Sequence, residues 1–373
     1  MKRVVFLTGT RADFGKLKSL IEILLTQPDF ECHIFTTGMH MDSKYGRTAL
    51  EVVKCGYPNI YSFINHNSHD SMDQILAKTI QGFSDYIHEI KPDLILVHGD
   101  RTETLAGAIV GALNNILVGH IEGGEVSGTI DELIRHSVTK MSHVHFVANE
   151  LARRRLVQMG ENPDSIFIIG SPDIDIMISK KLPSLATVKK HYEIPFEKYA
   201  LLMFHPVTTE IDDLASQSKK LVDAILQSGQ NVIAIYPNND MGNEFIINEY
   251  GRFAGNPRIR VFPSMRFEYF LVLIKHAQFV IGNSSAGIRE APFYAVPSVN
   301  IGSRQHKRAS DDQIIHCDHE TSSILASMQK AQNLKLSPTQ HFGEGNSDRL
   351  FLEALRGQAF TKILTQKHFK DLN

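Results

Sequence analysis

The chain has 373 residues, of which 42% are hydrophobic and 21% charged, and its formal net charge is −2. This length predicts two domains, because a single hydrophobic core rarely serves more than about 250–300 residues. The near-neutral charge gives the whole molecule no attraction to nucleic acid or to an anionic membrane. Three cysteines without a CxxC pair argue against a disulfide framework and a structural zinc site.

The amino-terminal segment resembles a signal peptide only at first sight. Lys2 and Arg3 precede an apolar run, but that run covers only residues 4–7, which is too short for the apolar region of a signal peptide. No stretch approaches the ~20 apolar residues that a membrane-spanning helix needs. We therefore expect a cytoplasmic protein with neither nucleic acid nor a membrane as a partner.

The first half of the chain alternates short β-branched runs with longer amphipathic segments. The runs predict strands at residues 3–8, 33–37, 93–97, 116–120, 143–148 and 166–169. One of the intervening helices is predicted at residues 102–113. Alternation of this kind predicts a parallel sheet that is covered by helices on both faces.

The pattern breaks after residue 170. Residues 180–198 are polar and contain Pro183 and Pro195, and a new series of strands and helices begins at residue 200. The sequence therefore predicts an α/β protein of two Rossmann-like doubly wound domains, residues 1–178 and 179–347, that face a nucleotide-binding cleft. A helical segment, residues 348–373, is expected to pack back on the first domain.

The loop after the first strand reads Gly9-Thr10-Arg11-Ala12-Asp13. It has no GxGxxG motif, and no acidic residue follows the second strand to bind a ribose, so a dinucleotide cofactor is a poor fit. Arg11 lies beside a helix N-terminus and suits a phosphate or diphosphate. The simpler alternative is a surface arginine next to an Asp13 N-cap.

Carboxylates follow two successive strands of the first half. Asp100 comes after one strand, Glu122 after the next, and Asp131 on the following loop, with glycines between them that would let a ligand approach. Carboxylates crowded at one sheet edge raise one another's pKa, as acid–base chemistry at neutral pH requires. Each alone would more simply be a helix N-cap. His98 and His120 also leave a metal site open, although no HxxxH spacing is present.

Polar loops also follow strands of the second half. His205 stands at a helix entry, where it can donate to a phosphate or simply cap the strand. Ser284 and Ser285 open a predicted helix with free N–H groups and hydroxyls for a diphosphate. Glu290, further along, could accept hydrogen bonds from two ribose hydroxyls. A capping box would explain Ser285 but would leave Ser284 and Glu290 unexplained.

Four segments carry a resemblance to a known family: GDRTETLA, HIEGGEVSGTIDELIRH, FHPVTT and IGNSSAGIRE. They resemble the UDP-N-acetylglucosamine 2-epimerases, a GT-B-like family, in order and over nearly the whole chain. The second segment is similar to the hydrolysing, NeuC-type branch of sialic acid biosynthesis. Non-hydrolysing relatives typically read HxEAGLRTG followed by PEExNR, which this chain lacks.

The resemblance implies conversion of UDP-N-acetylglucosamine and water to N-acetylmannosamine and UDP through 2-acetamidoglucal, without metal or nicotinamide, in a homodimer. The implied catalytic carboxylates are Asp100, Glu122 and Asp131, although Asp131 replaces the glutamate of non-hydrolysing relatives and adjoins Glu132. The residues implied to bind UDP are Arg11, His205, Asn238, Ser284, Ser285, Glu290 and Arg304. Those implied to line the sugar pocket are His40, Arg101 and His136.

Three other functions stay open. The same chemistry on a UDP-2,4-diacetamido-trideoxyhexose of the legionaminic acid pathway differs only in substituents at C4 and C6 of the sugar. A GT-B glycosyltransferase would pass the sugar to an acceptor, against which the segment HIEGGEVSGTIDE argues. A non-catalytic UDP-sugar sensor would not need three carboxylates. Which carboxylate removes the C2 proton is also open.

Overall fold

The computed structural model describes residues 1–67, 70–127, 129–305 and 314–371. The chain divides into two compact units. Unit 1 comprises Met1–Glu125, Asp131–Ser179 and Phe342–Asn373, and unit 2 comprises Val126–Ile130 and Lys180–His341. The sequence predicts limits at residues 178 and 347 and does not separate Val126–Ile130 from the first domain; the predicted domains and their roles stay predictions.

Unit 1 is built on a parallel sheet of seven strands in the order β3-β2-β1-β4-β5-β6-β7. The strands are β1 (Lys2–Thr8), β2 (Phe30–Thr36), β3 (Ile60–Ser62), β4 (Leu94–His98), β5 (Leu117–Ile121), β6 (Val144–Val147) and β7 (Ile166–Ile168). Residues 4–8 of β1 and all of β4 are buried, as expected where helices cover both faces of a parallel sheet.

The helices of unit 1 include two that come from the end of the chain. They are α1 (Arg11–Leu25), α2 (Ala49–Lys54), α3 (Met72–Ile90), α4 (Thr102–Leu113), α5 (Ile130–Met141), α6 (Glu150–Gln158), α7 (Pro172–Met177), α14 (Ser347–Arg356) and α15 (Gln358–Thr361). Phe351 and Leu355 of α14 are buried in the same apolar cluster as Val4 and Phe6 of β1. The predicted return of the C-terminal helix to the first domain is therefore confirmed, although Gly357 divides that helix into two.

Unit 2 repeats the same architecture with a six-stranded parallel sheet in the order β10-β9-β8-β11-β12-β13. Its strands are β8 (Ala200–Met203), β9 (Val232–Ile235), β10 (Ile259–Phe262), β11 (Val280–Gly282), β12 (Ser298–Ile301) and β13 (Ile314–Cys317). Its helices are α8 (Leu185–His191), α9 (Leu214–Ser228), α10 (Asn243–Tyr250), α11 (Phe267–Lys275), α12 (Glu290–Phe293) and α13 (Thr321–Asn333).

The polar stretch at residues 180–198 is not the unstructured connection that its composition indicates. It contains α8, whose Val188 is buried with Ile194 and Phe196 in a core cluster of unit 2. Leu185, Val188 and Tyr192 stand at helical spacing and belong to or pack against this cluster, so the sequence held a signal for α8 that its polar composition obscured. Among the residues that the structure describes, no helix combines the length and the apolar character that a membrane span requires.

One glycine of unit 2 lets two neighbouring strands approach closely. Gly282, the last residue of β11, has a φ of +131°, and a Cβ atom there would lie 1.9 Å from the carbonyl oxygen of Met203 at the end of β8. No side chain fits at this distance, and L-residues avoid this φ. The loops that follow β8 and β11 are therefore held together by a backbone contact.

We expect Gly282→Ala to lower the free energy of unfolding by at least about 3 kcal/mol, because it adds both backbone strain and a steric clash. Urea unfolding measures this change. Gly251→Ala is the matched control, since Gly251 has a right-handed helical φ of −55° and no atom within 4 Å of its added Cβ. Equal stability of the two variants would contradict the close approach.

Candidate active site

The loops after β1, β4 and β5 meet at one edge of the unit 1 sheet. These strands are neighbours in the sheet, and the carboxyl ends of parallel strands are where α/β proteins place ligands. The N–H of Gly99, directly after β4, donates to the carbonyl oxygen of Ile121 at the end of β5 over 2.9 Å. Asp100 and Glu122 each follow one member of this pair, so the structure brings their backbones together, as the strand order predicts.

Glu122 is the centre of a buried polar cluster. The residue is 5% exposed and adopts a left-handed backbone conformation with a φ of +66°. This conformation is uncommon for residues other than glycine. Its Oε1 accepts a hydrogen bond of 2.8 Å from the Ser171 hydroxyl and lies 3.3 Å from Nε2 of His98. The ammonium of Lys16 is 3.4 Å from the same oxygen.

Lys16 also connects Glu122 to a second buried acid. Its Nζ lies 3.7 Å from Oδ2 of Asp173, whose side chain is 0% exposed. Burying a charge is costly unless an opposite charge lies close by, and the single ammonium of Lys16 lies close to both carboxylates. Lys16, Ser171 and Asp173 were not predicted as site residues. Lys16 is one of the buried residues of α1. A charged residue on the apolar face of a helix was the sequence signal that could have identified it.

Asp100 is held by an arginine that was not among the predicted site residues. The guanidinium of Arg135, on α5, forms an ion pair with Asp100 Oδ2, and its Nη1 lies 3.3 Å from the carbonyl oxygen of Glu125. Arg135 is 1% exposed, whereas the Asp100 side chain is 24% exposed. The predicted carboxylate therefore keeps access to solvent while a buried cation fixes its position.

The other two predicted residues of α5 lie in its first turn and in its middle. Asp131 is half-buried in the first turn, four residues before Arg135. His136 is half-exposed, with Nε2 3.7 Å from Oε1 of Glu132 one turn earlier. Because residues four apart share a helix face, α5 presents Asp131 on the side where Arg135 meets Asp100.

Arg11 and Arg101 begin or precede helices at this edge. Thr10 caps α1 and forms a capping box with Asp13, and Arg11 is the first helical residue and half-buried. The cap is therefore Thr10 and not Asp13. Arg101 is the N-cap residue of α4, and its Nε lies 3.4 Å from the buried carboxylate of Glu103.

Two histidines at this edge are structural. Burial lowers the pKa of His40 to about 4 and that of His120 to about 3, so both rings are neutral near pH 7. His40 contacts the hydroxyls of Thr8 and Thr48. His120 contacts the Gly99 carbonyl oxygen over 2.8 Å and the Thr139 hydroxyl over 3.2 Å.

These contacts bear on the metal alternative. Both ring nitrogens of His120 already have protein partners, so this side chain is not an available metal ligand. Within residues 1–67, 70–127, 129–305 and 314–371, no three His, Cys, Asp or Glu side chains converge in an arrangement that could hold a metal ion.

The glycines after Glu122 serve packing and not the approach of a ligand. Gly124 has a φ of +76°, and a Cβ there would lie 2.3 Å from the carbonyl oxygen of Ala152. A Cβ on Gly123 would lie 3.0 Å from the His120 ring. The sequence interpretation of this pair as room for a ligand is wrong, because protein atoms already fill the space.

In unit 2, Asn283 ties the loops after β8 and β11 together. Its side chain accepts the N–H of His205 over 2.7 Å and donates to the His205 carbonyl oxygen over 2.9 Å. The ring Nδ1 of His205 in turn accepts the N–H of Asn238 over 3.0 Å. A neutral ring whose Nδ1 accepts carries its proton on Nε2. The structure therefore brings His205 and Asn238 together, as two of the predicted UDP ligands.

The segment after β11 departs from the predicted helix. A 3₁₀ turn covers Ser285–Gly287, with Ser284 as its N-cap, and the separate helix α12 begins at Glu290. The Ser284 hydroxyl accepts the N–H of Ala286 over 3.4 Å. Glu290 is only 3% exposed. Two short elements replace the single helix N-terminus that the two serines indicated.

Arg304 lies beside this segment. The residue is 8% exposed, and its Nη1 donates to the carbonyl oxygen of Asn283 over 3.2 Å, while Gln305 donates to the same oxygen over 2.9 Å. Two predicted residues of unit 2, His205 and Arg304, thus bond to Asn283, which was not among the predicted site residues. A short polar residue after a buried strand was the available signal.

Known proteins are similar to this chain over its whole length. A family model described as UDP-N-acetylglucosamine 2-epimerase matches residues 23–356. A Neisseria meningitidis serogroup B protein named UDP-N-acetylglucosamine 2-epimerase is 50% identical and aligns with 100% of both chains. A Legionella pneumophila protein named UDP-N,N'-diacetylbacillosamine 2-epimerase (hydrolyzing) is 33% identical, with 95% of this chain and 96% of that protein covered.

Two further relatives extend the comparison. The polysialic acid biosynthesis protein P7 of Escherichia coli is 32% identical over 90% of this chain and 87% of its own. The solved structure of a UDP-GlcNAc 2-epimerase from Methanocaldococcus jannaschii aligns with a TM-score of 0.82 at 21% identity, covering 95% of this chain and 99% of that one. The predicted fold class, α/β and GT-B-like with two parallel sheets, is confirmed. The chain belongs to the UDP-N-acetylglucosamine 2-epimerase family.

The buried neutral His120 predicts a loss of stability in acid. Its ordinary pKa of 6.5 falls to about 3 on folding. Between these two pH values only the unfolded chain takes up the proton. The free energy of unfolding is therefore unaffected by this ring above pH 6.5 and decreases as the pH falls from 6.5 toward 3. Each such histidine costs up to about 1.4 kcal/mol per pH unit in this window.

We expect His120→Gln to flatten the decline of unfolding free energy between pH 6.5 and 4.5 by about one proton's slope. Urea unfolding at several pH values measures this slope. His136→Gln, at a half-exposed position, is the control and should follow the wild-type slope. A His120→Gln slope equal to that of the wild type would mean that the ring is protonated in the folded state.

Proposed function

We propose that the protein is a hydrolysing 2-epimerase that converts UDP-N-acetylglucosamine and water to N-acetylmannosamine and UDP. The observation that carries the proposal is the buried arrangement at the carboxyl ends of β4 and β5, where Glu122 and Asp100 are each held by a buried cation. Both acids lie in segments that resemble the family, and the segment of Glu122 resembles its hydrolysing branch.

The reaction needs protons to leave and return at one carbon. A base removes the proton at C2 while UDP leaves C1, which forms 2-acetamidoglucal. Water then adds at C1, and C2 is protonated from the opposite face, which gives N-acetylmannosamine. We assign these proton transfers to Asp100, Glu122 and Asp131, because carboxylates fixed in position act as general acids and bases.

The leaving diphosphate requires positive charge and hydrogen-bond donors. In unit 2 we assign its binding to His205, whose donor nitrogen is Nε2, and to Arg304. The other UDP ligands of the proposal are Arg11, Asn238, Ser284, Ser285 and Glu290. Donors that are already held in place stabilise a developing charge without reorganisation. We assign Arg101 and His136 to the sugar, while His40, which is buried and bonded at both nitrogens, acts by holding the loop after β2.

The hydrolysing outcome rests on two supports. The segment HIEGGEVSGTIDELIRH does not contain the EAGLRTG sequence or the paired glutamates of PEExNR that non-hydrolysing relatives show. The Legionella relative is named as a hydrolysing enzyme. The resemblance to the Escherichia coli P7 protein supports a role as the first step of sialic acid biosynthesis. The cytoplasmic location remains a prediction from the sequence composition, and the homodimer remains a prediction of the resemblance.

A second candidate substrate is a UDP-2,4-diacetamido-trideoxyhexose. The Legionella relative, at 33% identity, is named for a diacetamido sugar, and the proposed chemistry at C1 and C2 is the same for both substrates. The two differ at C4 and C6. The higher identity of the Neisseria relative, at 50%, favours UDP-N-acetylglucosamine.

Proton NMR of the purified protein with UDP-N-acetylglucosamine in D₂O tests the proposal. We expect free N-acetylmannosamine that carries deuterium at C2, together with UDP, because the returning proton comes from solvent. UDP-N-acetylmannosamine as the product would show a non-hydrolysing enzyme. Turnover of the diacetamido sugar alone would select the second candidate.

The role of each carboxylate can be tested by replacing it with the corresponding amide. We expect Asp100→Asn, Glu122→Gln and Asp131→Asn each to lower kcat on the order of 10²–10⁴-fold, since each loses a proton-transfer group. Glu132→Gln is the matched control, being adjacent to Asp131 and likewise half-buried, and should keep kcat within about threefold. A reversed pattern, with Glu132→Gln inactive and Asp131→Asn active, would move the role to Glu132.

A further inference from the structure

A lysine far along the chain closes the end of helix α5. The ammonium of Lys367 donates to the carbonyl oxygens of Thr139 and Lys140, both over 3.1 Å, and of Ser142 over 2.8 Å. These carbonyls belong to the last turn of α5 and the residue just beyond it, where a helix has no internal donors for its oxygens. A cation at this end also complements the helix dipole. Lys367 therefore acts as a C-cap that is supplied from outside the helix.

The capping ammonium is itself fixed by a buried carboxylate. Glu161 is 1% exposed, and its Oε2 lies 2.5 Å from Nζ of Lys367 and 2.9 Å from Nε2 of His145. Its Oε1 lies 2.8 Å from Nζ of Lys140, a residue of α5. Burial opposes ionisation, but the hydrogen bond from His145 and the nearby lysines lower the pKa of Glu161 to about 2. The carboxylate is thus ionised and holds both ammonium groups.

The backbone of the same segment is anchored two residues earlier. The carbonyl oxygen of Thr365 lies 2.9 Å from Nε2 of His143, and the Nδ1 of that ring accepts the N–H of Val118 over 3.0 Å. The ring therefore carries its proton on Nε2 and donates to Thr365. Lys367 reaches α5 from a segment that β5 and the start of β6 already hold in place.

The other contacts of α5 lead to the candidate catalytic carboxylates. Arg135 of this helix holds Asp100, and Thr139 contacts the ring of His120, which bonds to Gly99 next to Asp100. Asp131 stands in the first turn. A shift of α5 along or about its axis would displace Asp131 and the Arg135–Asp100 pair together. Displacements near 1 Å can cost about a hundredfold in rate.

We propose that Lys367 is a positioning residue for the reaction: with Glu161 it clamps the carboxyl end of α5 and thereby places Asp131 and the Arg135–Asp100 pair. The inference rests on the proposed function for its kinetic part only. No group of the clamp is assigned to the substrate. Its loss should reduce catalysis and leave UDP binding intact, because the UDP ligands assigned to unit 2 are outside the clamp.

The test variant is Lys367→Met, which keeps the length of the side chain and removes its charge and donors. Glu161 retains Lys140 and His145, so the carboxylate is not left unpaired. We expect kcat to fall by about 10–100-fold, with the Kd for UDP within about twofold of wild type. Lys367→Arg, which restores the charge and the donors, should recover most of kcat. Lys370→Met, at an exposed position, is the matched control and should equal the wild type.

Hydrogen exchange tests the clamp without reference to turnover. In Lys367→Met, we expect the amides of residues 134–141 to exchange on the order of tenfold faster, while the amides of β1 and β4 keep their protection. If the wild-type protein has no epimerase activity, the proposed function fails and the exchange result still decides whether the clamp exists. Unchanged exchange in α5 would overturn the clamp, and so would a uniform rise throughout unit 1. A kcat equal to that of wild type despite faster exchange in α5 would overturn the positioning role.

Discussion

The burial of charge at the carboxyl edge of the unit 1 sheet is the constraint on which the rest of that unit depends. An ammonium and two carboxylates, Lys16, Glu122 and Asp173, lie together with less than a tenth of each side chain exposed. Removing charged groups from water costs several kcal/mol per ion, and only close pairing offsets this cost. The first helix, the loop after β5 and α7 must therefore meet at one place, and the apolar core beneath them holds them there.

Helix α5 orients the solvent-facing part of the candidate site. Its Arg135 is almost fully buried and pairs with the partly exposed Asp100, so a cation inside the protein orients an acid that a ligand can reach. The same helix is bound near its far end by Lys367 and by Lys140 through Glu161. A helix held at both ends can keep two acidic groups in a fixed relation, which general acid–base chemistry requires.

In unit 2, two uncharged residues hold the loops after β8 and β11 in place. Asn283 bonds to the backbone of His205 on both its N–H and its carbonyl oxygen, and Gly282 allows the two loops to approach at backbone distance. The ring of His205 is then oriented by the N–H of Asn238. Preorganised donors of this kind suit a diphosphate, whose charge is spread over several oxygens.

The sequence by itself determined the two parallel sheets and the positions of Asp100 and Glu122 at strand ends, because apolar runs, helical periods and polar loops are local signals. It could not show that His40 and His120 are buried structural groups, or that the helix after Ser284 is divided. Only the tertiary structure decided the partners: Lys16 and Glu122 are 106 residues apart, Arg135 and Asp100 35, and Lys367 and Thr139 228. Contacts over such separations arise from packing of whole elements, which no local pattern records.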